Sequence, residues 1–157
     1  MSINVNIITI GKWKGGGAER ELYDNYVKRS PWQISLHELS PLPKLQAQAR
    51  RTKETELMLE YAKGQMCEKM FALDERGKNH SSVEFATKLQ DLCESGVKKC
   101  AFLIGGDVGM DLESLPTNAN IFCFGNMVWP HLLVRVMLAE QIYRAQTIIS
   151  NHPYHRT

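Results

Sequence analysis

Short apolar runs alternate with helix-forming stretches along the whole chain, and that alternation leaves few folds open. Ile3, Val5 and Ile7 alternate with polar residues before the run Ile8 to Ile10, a strand passing from half to full burial. Lys12 to Gly17 is a loop leading into a helix from Ala18 to Arg29, and Trp32 to Leu39 alternates again as a second strand, broken by Pro41 and Pro43. Lys44 to Lys63 is rich in Ala, Glu, Lys, Arg and Leu and predicts a long helix closed by Gly64. Met70 to Leu73 is a short strand. Ser81 and Glu84 form a capping box that opens a helix running to Gly96, after which Cys100 to Ile104 is an apolar strand. A short helix around Leu112, a strand from Ile121 to Phe124, and a helix with Pro130 at its first position and Leu132 to Ile149 as its body complete the chain. Strands separated by helices at this spacing pair in parallel, because a parallel crossover needs about a dozen residues. The expectation is one α/β domain spanning residues 1–157, a parallel sheet flanked by helices.

Three of these strands end in glycine-bearing loops: Leu73-Asp74-Glu75-Arg76-Gly77, Ile104 to Gly109 with Gly105-Gly106, and Phe124-Gly125-Asn126-Met127-Val128-Trp129-Pro130. Ligands of open α/β sheets bind beyond the carboxyl ends of the strands, and glycines there let main-chain groups approach closely. Ordinary turns share this composition, but three in register point to a pocket lined by main chain. No GxGxxG follows a strand, and Gly15-Gly16-Gly17 lacks the Gly-Lys-Ser/Thr ending of a phosphate loop. Neither a dinucleotide nor an ATP fingerprint is present.

Composition narrows the partners. At 43% hydrophobic and 23% charged residues the chain is globular, and its 157 residues are enough for a core without staples. No apolar stretch is long enough to span a membrane, and nothing resembles an export signal, so a cytoplasmic location is expected. Cys67, Cys93, Cys100 and Cys123 lack CxxC spacing and read as reduced core residues. A net charge of +2 neither demands nor excludes RNA, and implies that RNA would be met by a local patch.

The last helix is apolar on nearly every face, with Arg135, Glu140 and Arg144 embedded, so it is buried in its own domain or against a second copy. Glu140 and Arg144 stand four apart and share a face, paired or lining a site. The tail Asn151-His152-Pro153-Tyr154-His155-Arg156 concentrates donors, acceptors and imidazoles. His152 and His155 lack a third ligand, and Pro153 breaks their register, so no metal is expected. The tail is either frayed or folded over the pocket.

The segment from Pro130-His131-Leu132-Leu133-Val134-Arg135-Val136 through Ala139-Glu140-Gln141-Ile142-Tyr143-Arg144-Ala145 to Asn151-His152-Pro153-Tyr154-His155-Arg156 resembles the C-terminus of the ribosomal RNA large subunit methyltransferase H family. The match continues upstream in Leu103-Ile104-Gly105-Gly106 with Gly109, in Leu73-Asp74 with Gly77-Lys78, and in Glu19-Arg20-Glu21-Leu22 with Tyr26 and Arg29. The resemblance implies a SPOUT fold, whose C-terminal segment is threaded into a trefoil knot, and a homodimer. It also implies methyl transfer from S-adenosylmethionine to N3 of a pseudouridine in helix 69 of 23S ribosomal RNA. Carried over by position, the cofactor site comprises Leu73, Gly105, Phe124, Gly125, Asn126, Met127, Val128 and Trp129. Gly125, Asn126, Val128 and Trp129 are not the family's commonest choices, but recognition there is through backbone groups.

On this reading His155, or a water it holds, removes the N3 proton, Tyr154 positions it, and Arg144 binds phosphate or the developing anion. Arg135 and Glu140 shape the interface or the pocket, and Lys12, Lys14, Lys44, Arg50, Arg51 and Lys53 are candidate RNA contacts. The competing readings are a non-catalytic, ribosome-associated RNA-binding module of the same fold and a small α/β enzyme with another nucleotide-like ligand.

Overall fold

The computed structural model of the chain describes residues 1–156. Its elements follow in the order β1 (Asn4–Ile10), α1 (Ala18–Arg29), β2 (Ile34–Leu39), α2 (Ala47–Gly64), β3 (Lys69–Asn79), α3 (Ser82–Glu94), β4 (Lys99–Ile104), a 3-10 turn (Leu112–Ser114), β5 (Asn120–Cys123) and α4 (His131–Ile149). The strands form one parallel sheet in the order β2-β1-β4-β3-β5.

Strand alternation divides the core between the two faces. Ile3, Val5, Ile7, Phe102 and Phe122 share one cluster with Tyr23 of α1, Phe85 and Leu89 of α3, and Val136, Leu138 and Ile142 of α4. Ile8, Ile10, Ala101 and Leu103 share the other with Met58 and Ala62 of α2. Both faces of β1 are covered, so Val5 to Ile10 is buried throughout, the polar Asn6 and Thr9 included. The helix α3 starts as its sequence dictates: Ser81 accepts from the Glu84 N–H at 3.1 Å, and the Glu84 carboxylate accepts from the Ser81 N–H at 2.7 Å.

Three element boundaries differ from the sequence reading. The helix α2 begins at Ala47 rather than Lys44, because the Leu42 N–H is drawn to the buried Glu54 carboxylate (2.8 Å) and the chain turns there. Pro130 is the residue before α4, at φ −57° and ψ 138°, rather than its first residue. The third difference bears on the site. The strand β3 does not stop at Leu73: it pairs with β5 through Leu73↔Phe122, shifts register across Asp74 to Gly77, and resumes with Lys78↔Phe122 and Asn79↔Cys123. Asp74 takes up the slack by accepting from the Arg76 backbone N–H (3.0 Å) and side-chain Nε (2.7 Å).

A polar row crosses the β1–β2 edge under α2. His37 Nε2 lies 2.9 Å from Asn6 Oδ1, and the Tyr61 hydroxyl lies 3.0 Å from His37 Nδ1. With Nε2–H donating to the amide oxygen, Nδ1 accepts from Tyr61, and the ring is neutral. Burial lowers the His37 pKa from its ordinary value of 6.5. A depressed histidine contributes stability in full above that value and loses it as pH falls, because the unfolded chain binds the proton first. The denaturation midpoint should therefore drop between pH 7.5 and 5.5. His80, lowered by burial and by Lys88 and Lys78, adds to the same drop. A His37→Gln variant should show a smaller drop than wild type, and an equal one would remove this role from His37.

Candidate functional site

The bulge of β3 and the carboxyl ends of β4 and β5 open onto one cleft, closed on its remaining side by the start of α4. Leu73, Asp74 and Glu75 form one wall, Ile104, Gly105, Gly106, Gly109 and Met110 a second, and Cys123, Phe124, Gly125, Met127, Val128 and Trp129 a third, with His131 and Val134 at the base of α4. Of the eight positions carried over for the cofactor (Leu73, Gly105 and Phe124 to Trp129), the structure brings all but the side of Asn126 to this cleft.

Local sequence shapes each wall. A Cβ on Gly105 would stand 3.0 Å from the Gly109 carbonyl carbon, so the second loop folds back on itself only with glycine there. Gly109, at φ +77°, and Gly125, at φ +95°, occupy backbone conformations that other residues rarely adopt. The second loop is pinned from outside. Arg50 Nη2 donates to Asp107 (2.7 Å), Arg51 Nε to the Val108 carbonyl (2.8 Å), and Arg76 Nη2 to the Met110 carbonyl (3.0 Å). The two arginines expected to contact RNA, Arg50 and Arg51, are thus tied into the loop, and Lys53 pairs with Glu56 at 3.0 Å. In the third loop the Trp129 indole N–H donates to the Phe124 carbonyl (3.1 Å), while Met127 and Val128 are 73% and 79% exposed.

Two properties of the cleft decide what it can hold. It encloses only about 110 Å³, below the ~300–1,000 Å³ usual for small-molecule sites, and Met127 and Val128 stand uncovered at its rim. Its lining has no lysine or arginine but two carboxylates, Asp74 and Glu75. Burial pushes the Asp74 carboxyl up, but hydrogen bonds from the Arg76 side chain and backbone outweigh it and hold the group below the ordinary range, so it is ionised. A phosphate-bearing ligand would meet two carboxylates and no lysine or arginine here, whereas a cationic one is accommodated.

The expected catalytic residues meet elsewhere. Asn151, at φ +55°, ends α4 in a Schellman turn, with the His152 N–H on the Thr147 carbonyl (2.8 Å) and the Asn151 N–H on the Ile148 carbonyl (3.1 Å). The tail folds back along α4. There Glu140 Oε1 accepts from Arg144 Nε (3.0 Å) and from the Tyr154 hydroxyl (3.0 Å), and Arg144 Nη1 lies 3.3 Å from His155 Nδ1. The Arg144 guanidinium sits 4.8 Å from the Tyr154 ring centre, and Tyr154 packs edge-on against Tyr143 at 4.9 Å. Arg29 of α1 covers Tyr143 at 4.5 Å and donates to its hydroxyl at 3.1 Å. Burial first, then hydrogen bonding to Tyr26 and Glu140, drives the Tyr154 pKa far up, so the phenol stays protonated and donates to Glu140. An arginine can only donate, so His155 Nδ1 is the acceptor of this contact, and the other ring nitrogen, Nε2, is buried with no partner.

Sequence reasoning found the Glu140–Arg144 pair but not that Glu140 is the hub, nor that Tyr26, Arg29 and Tyr143 wall the cluster. The available signal was their presence in the matching segments, Tyr26 and Arg29 near the start of the chain and Tyr143 in the last helix. Within one chain the cluster and the cleft are separate: none of Arg144, Tyr154 and His155 lines the cleft. His131 and Arg144 stand about 20 Å apart along α4 at ~1.5 Å per residue. Among the described residues, no group of three metal-ligating side chains exists, and no helix is long and apolar enough to cross a membrane.

Residues 3–155 match the family model described as "Predicted SPOUT methyltransferase". The chain is 42% identical over 154 residues to "Ribosomal RNA large subunit methyltransferase H" of Paramagnetospirillum magneticum, covering 96% of this chain and 97% of that one. It is 39% identical to the protein of the same name from Chelativorans sp., covering 98% and 91%, and 38% identical to that of Caulobacter vibrioides, covering 98% and 99%. Among solved structures, a probable methylase family protein from Haemophilus influenzae superposes with a TM-score of 0.58 at 13% identity, over 99% of this chain and 71% of that one, a likeness of fold.

Proposed function

The chain belongs to the ribosomal RNA large subunit methyltransferase H family of SPOUT methyltransferases, and we propose that it methylates N3 of a pseudouridine in helix 69 of 23S ribosomal RNA, using S-adenosylmethionine. It acts on the assembled ribosome, in the cytoplasm, as a homodimer of single SPOUT domains. The observation that carries the cofactor is the cleft itself: main-chain loops, an apolar floor from Leu73, Ile104 and Val134, two carboxylates and no basic side chain. That set suits a flat adenine bearing a cationic sulfonium and opposes a polyphosphate.

The trefoil knot of the C-terminal segment comes with membership of the SPOUT family, and three features of the chain support the dimer. The exposed Met127 and Val128, the partial enclosure of the cleft, and the separation of Arg144, Tyr154 and His155 from it all call for a second copy of the chain. The partner's tail then completes each cleft.

The bound sulfonium supplies an activated methyl group: the S–C bond breaks as the N3–C bond forms. The chain's own task is alignment and removal of the N3 proton. Arg144 holds His155 Nδ1 in the free protein. When Arg144 turns to an RNA phosphate, Nδ1 is released and takes the N3 proton. Tyr154, donating to Glu140, keeps the carboxylate and with it Arg144 in place. Titration calorimetry with S-adenosylhomocysteine should show binding, and labelled methyl should pass to intact ribosomes, with free ribosomal RNA assayed alongside. Absence of binding would sink the methyltransferase reading and leave a non-catalytic RNA-binding module.

A further inference from the structure

A second cleft adjoins the first and is larger, about 520 Å³. The two share Gly106 and His131. Its outer wall is the loop Lys12 to Gly17 with the first turn of α1, and its floor is Arg135 of α4. The charges around it are unevenly matched. Arg20 pairs with Asp24, Arg50 with Glu54 and Asp107, and Arg135 with Glu38. Lys12 and Lys14 are exposed and form no ion pair with another described residue. Glu19 is the one acid in the lining left without a cation.

Uncommitted donors also face this cleft. The helix α1 starts at Gly17 without a side-chain cap, and its first internal bond is from the Glu21 N–H to the Gly17 carbonyl, so the amides of Ala18 to Arg20 are open at the positive end of the helix. Arg135 is 2% exposed. Its Nη1 donates to Glu38 (3.1 Å) and its Nη2 to the Gly11 carbonyl (2.9 Å), but its Nε–H has no acceptor. Trp13, whose backbone N–H is anchored on Glu38 at 2.6 Å, lies 5.0 Å from the Arg135 guanidinium, and its indole N–H is likewise buried without a partner. Buried donors are rarely left unmade. Gly15, at φ +76°, and Gly16 have nothing within 4 Å of an added Cβ, so the loop offers bare backbone to whatever enters.

We propose that this second cleft seats the RNA strand flanking the target nucleotide, with Lys12 and Lys14 each neutralising a phosphate and the α1 amides and the Arg135 floor supplying donors to the same strand. The proposal rests on the RNA-methylating function above, and the neighbourhood of the clefts is its geometric reason. A base presented to a methyl donor in the smaller cleft must have its own phosphates within one nucleotide of it, and the adjacent groove is the one that carries free positive charge. The smaller cleft, lined by carboxylates, repels that backbone, so the two divide the cationic donor from the anionic acceptor.

The test is the salt dependence of binding to purified 70S ribosomes by the full-length protein, with S-adenosylhomocysteine binding and the melting temperature measured on every variant. Each single-strand phosphate contact contributes about 0.7 to the slope of log K against log salt. Lys12→Ala/Lys14→Ala should make that slope shallower by about 1.4 and weaken binding at least ~tenfold near 0.1 M salt. Lys12→Arg/Lys14→Arg should restore the slope, and Lys88→Ala/Lys98→Ala, on α3 and before β4, should leave it at the wild-type value. An unchanged slope in the double alanine variant overturns the proposal. So does loss of S-adenosylhomocysteine binding in that variant, which would make the groove part of the cofactor site. If the slope depends on Lys12 and Lys14 but wild type binds no S-adenosylhomocysteine, the methyltransferase reading fails and the RNA seat stands.

Discussion

Replacing Gly77 with alanine is expected to cost the fold about 3 kcal/mol or more, the largest effect of any single methyl group added to this chain. A Cβ at Gly77 would lie 2.5 Å from the Phe122 amide nitrogen and 2.7 Å from its Cα and carbonyl carbon. These are backbone atoms of a paired strand, so no rotamer change relieves the clash. To make room β5 must leave β3, and Phe122 must leave an aromatic cluster in which it stacks on Phe85 at 5.5 Å and meets Phe71, Phe102 and Phe124 edge-on. Since Phe124 lines the cofactor cleft, cofactor affinity should fall with stability. Gly64→Ala is the matched control: nothing lies within 4 Å of its added Cβ, and at the end of α2 it should be neutral or slightly stabilising. Urea denaturation measures both, and a Gly77→Ala midpoint within about 1 kcal/mol of wild type would show that β5 passes β3 with slack.

The same position marks where the sequence stops being legible. Asp74-Glu75-Arg76-Gly77 has the composition of a turn, and locally it is one: Asp74 folds Arg76 back on itself. That the chain then resumes pairing with β5 depends on Phe122, more than forty residues on, and no local propensity carries that information. The intrachain bonds of Arg50 and Arg51 were illegible for a like reason. Their partners Asp107 and Val108 are 57 residues away, so a helix face that looks solvated on paper is occupied in space. What could be read was what neighbours decide. The Ser81–Glu84 capping box, the alternation of Ile3, Val5 and Ile7, and the glycines that end β4 and β5 act over a few residues and stand as expected. The parallel order of the sheet followed from crossover lengths. The cleft was legible as a place because its loops all follow the apolar runs of adjacent strands, whereas the tail's place beside Tyr143 and Arg29 depends on how α1 and α4 pack.

Arg144 and His155 should lose methyl transfer together rather than in proportion. His155→Ala removes the proposed base and is expected to lower the rate at saturating cofactor and RNA by about 10²–10⁴-fold. Arg144→Ala strips Glu140 of its ion pair, Tyr154 of the cation over its ring, and His155 of the donor that sets which ring nitrogen carries the proton. Its loss should be of the same order, because a base in the wrong tautomer or rotated out of place is no base. If release of His155 Nδ1 by Arg144 is one step of one process, the double variant should be no slower than the slower single. Losses that multiply would instead mean separate tasks, with Arg144 binding RNA alone. Binding of S-adenosylhomocysteine should stay within about threefold of wild type in all three variants, since the loops proposed to hold the cofactor contain neither residue and the partner's tail is assigned to the RNA acceptor. The proposed dimer, in which a second copy brings the two regions together, allows a stronger form of the test. Mixing Gly105→Arg subunits, with the cleft blocked, and His155→Ala subunits should restore part of the activity that each lacks alone. Heterodimers that stay inactive would place His155 on the cleft of its own chain, against the separation along α4.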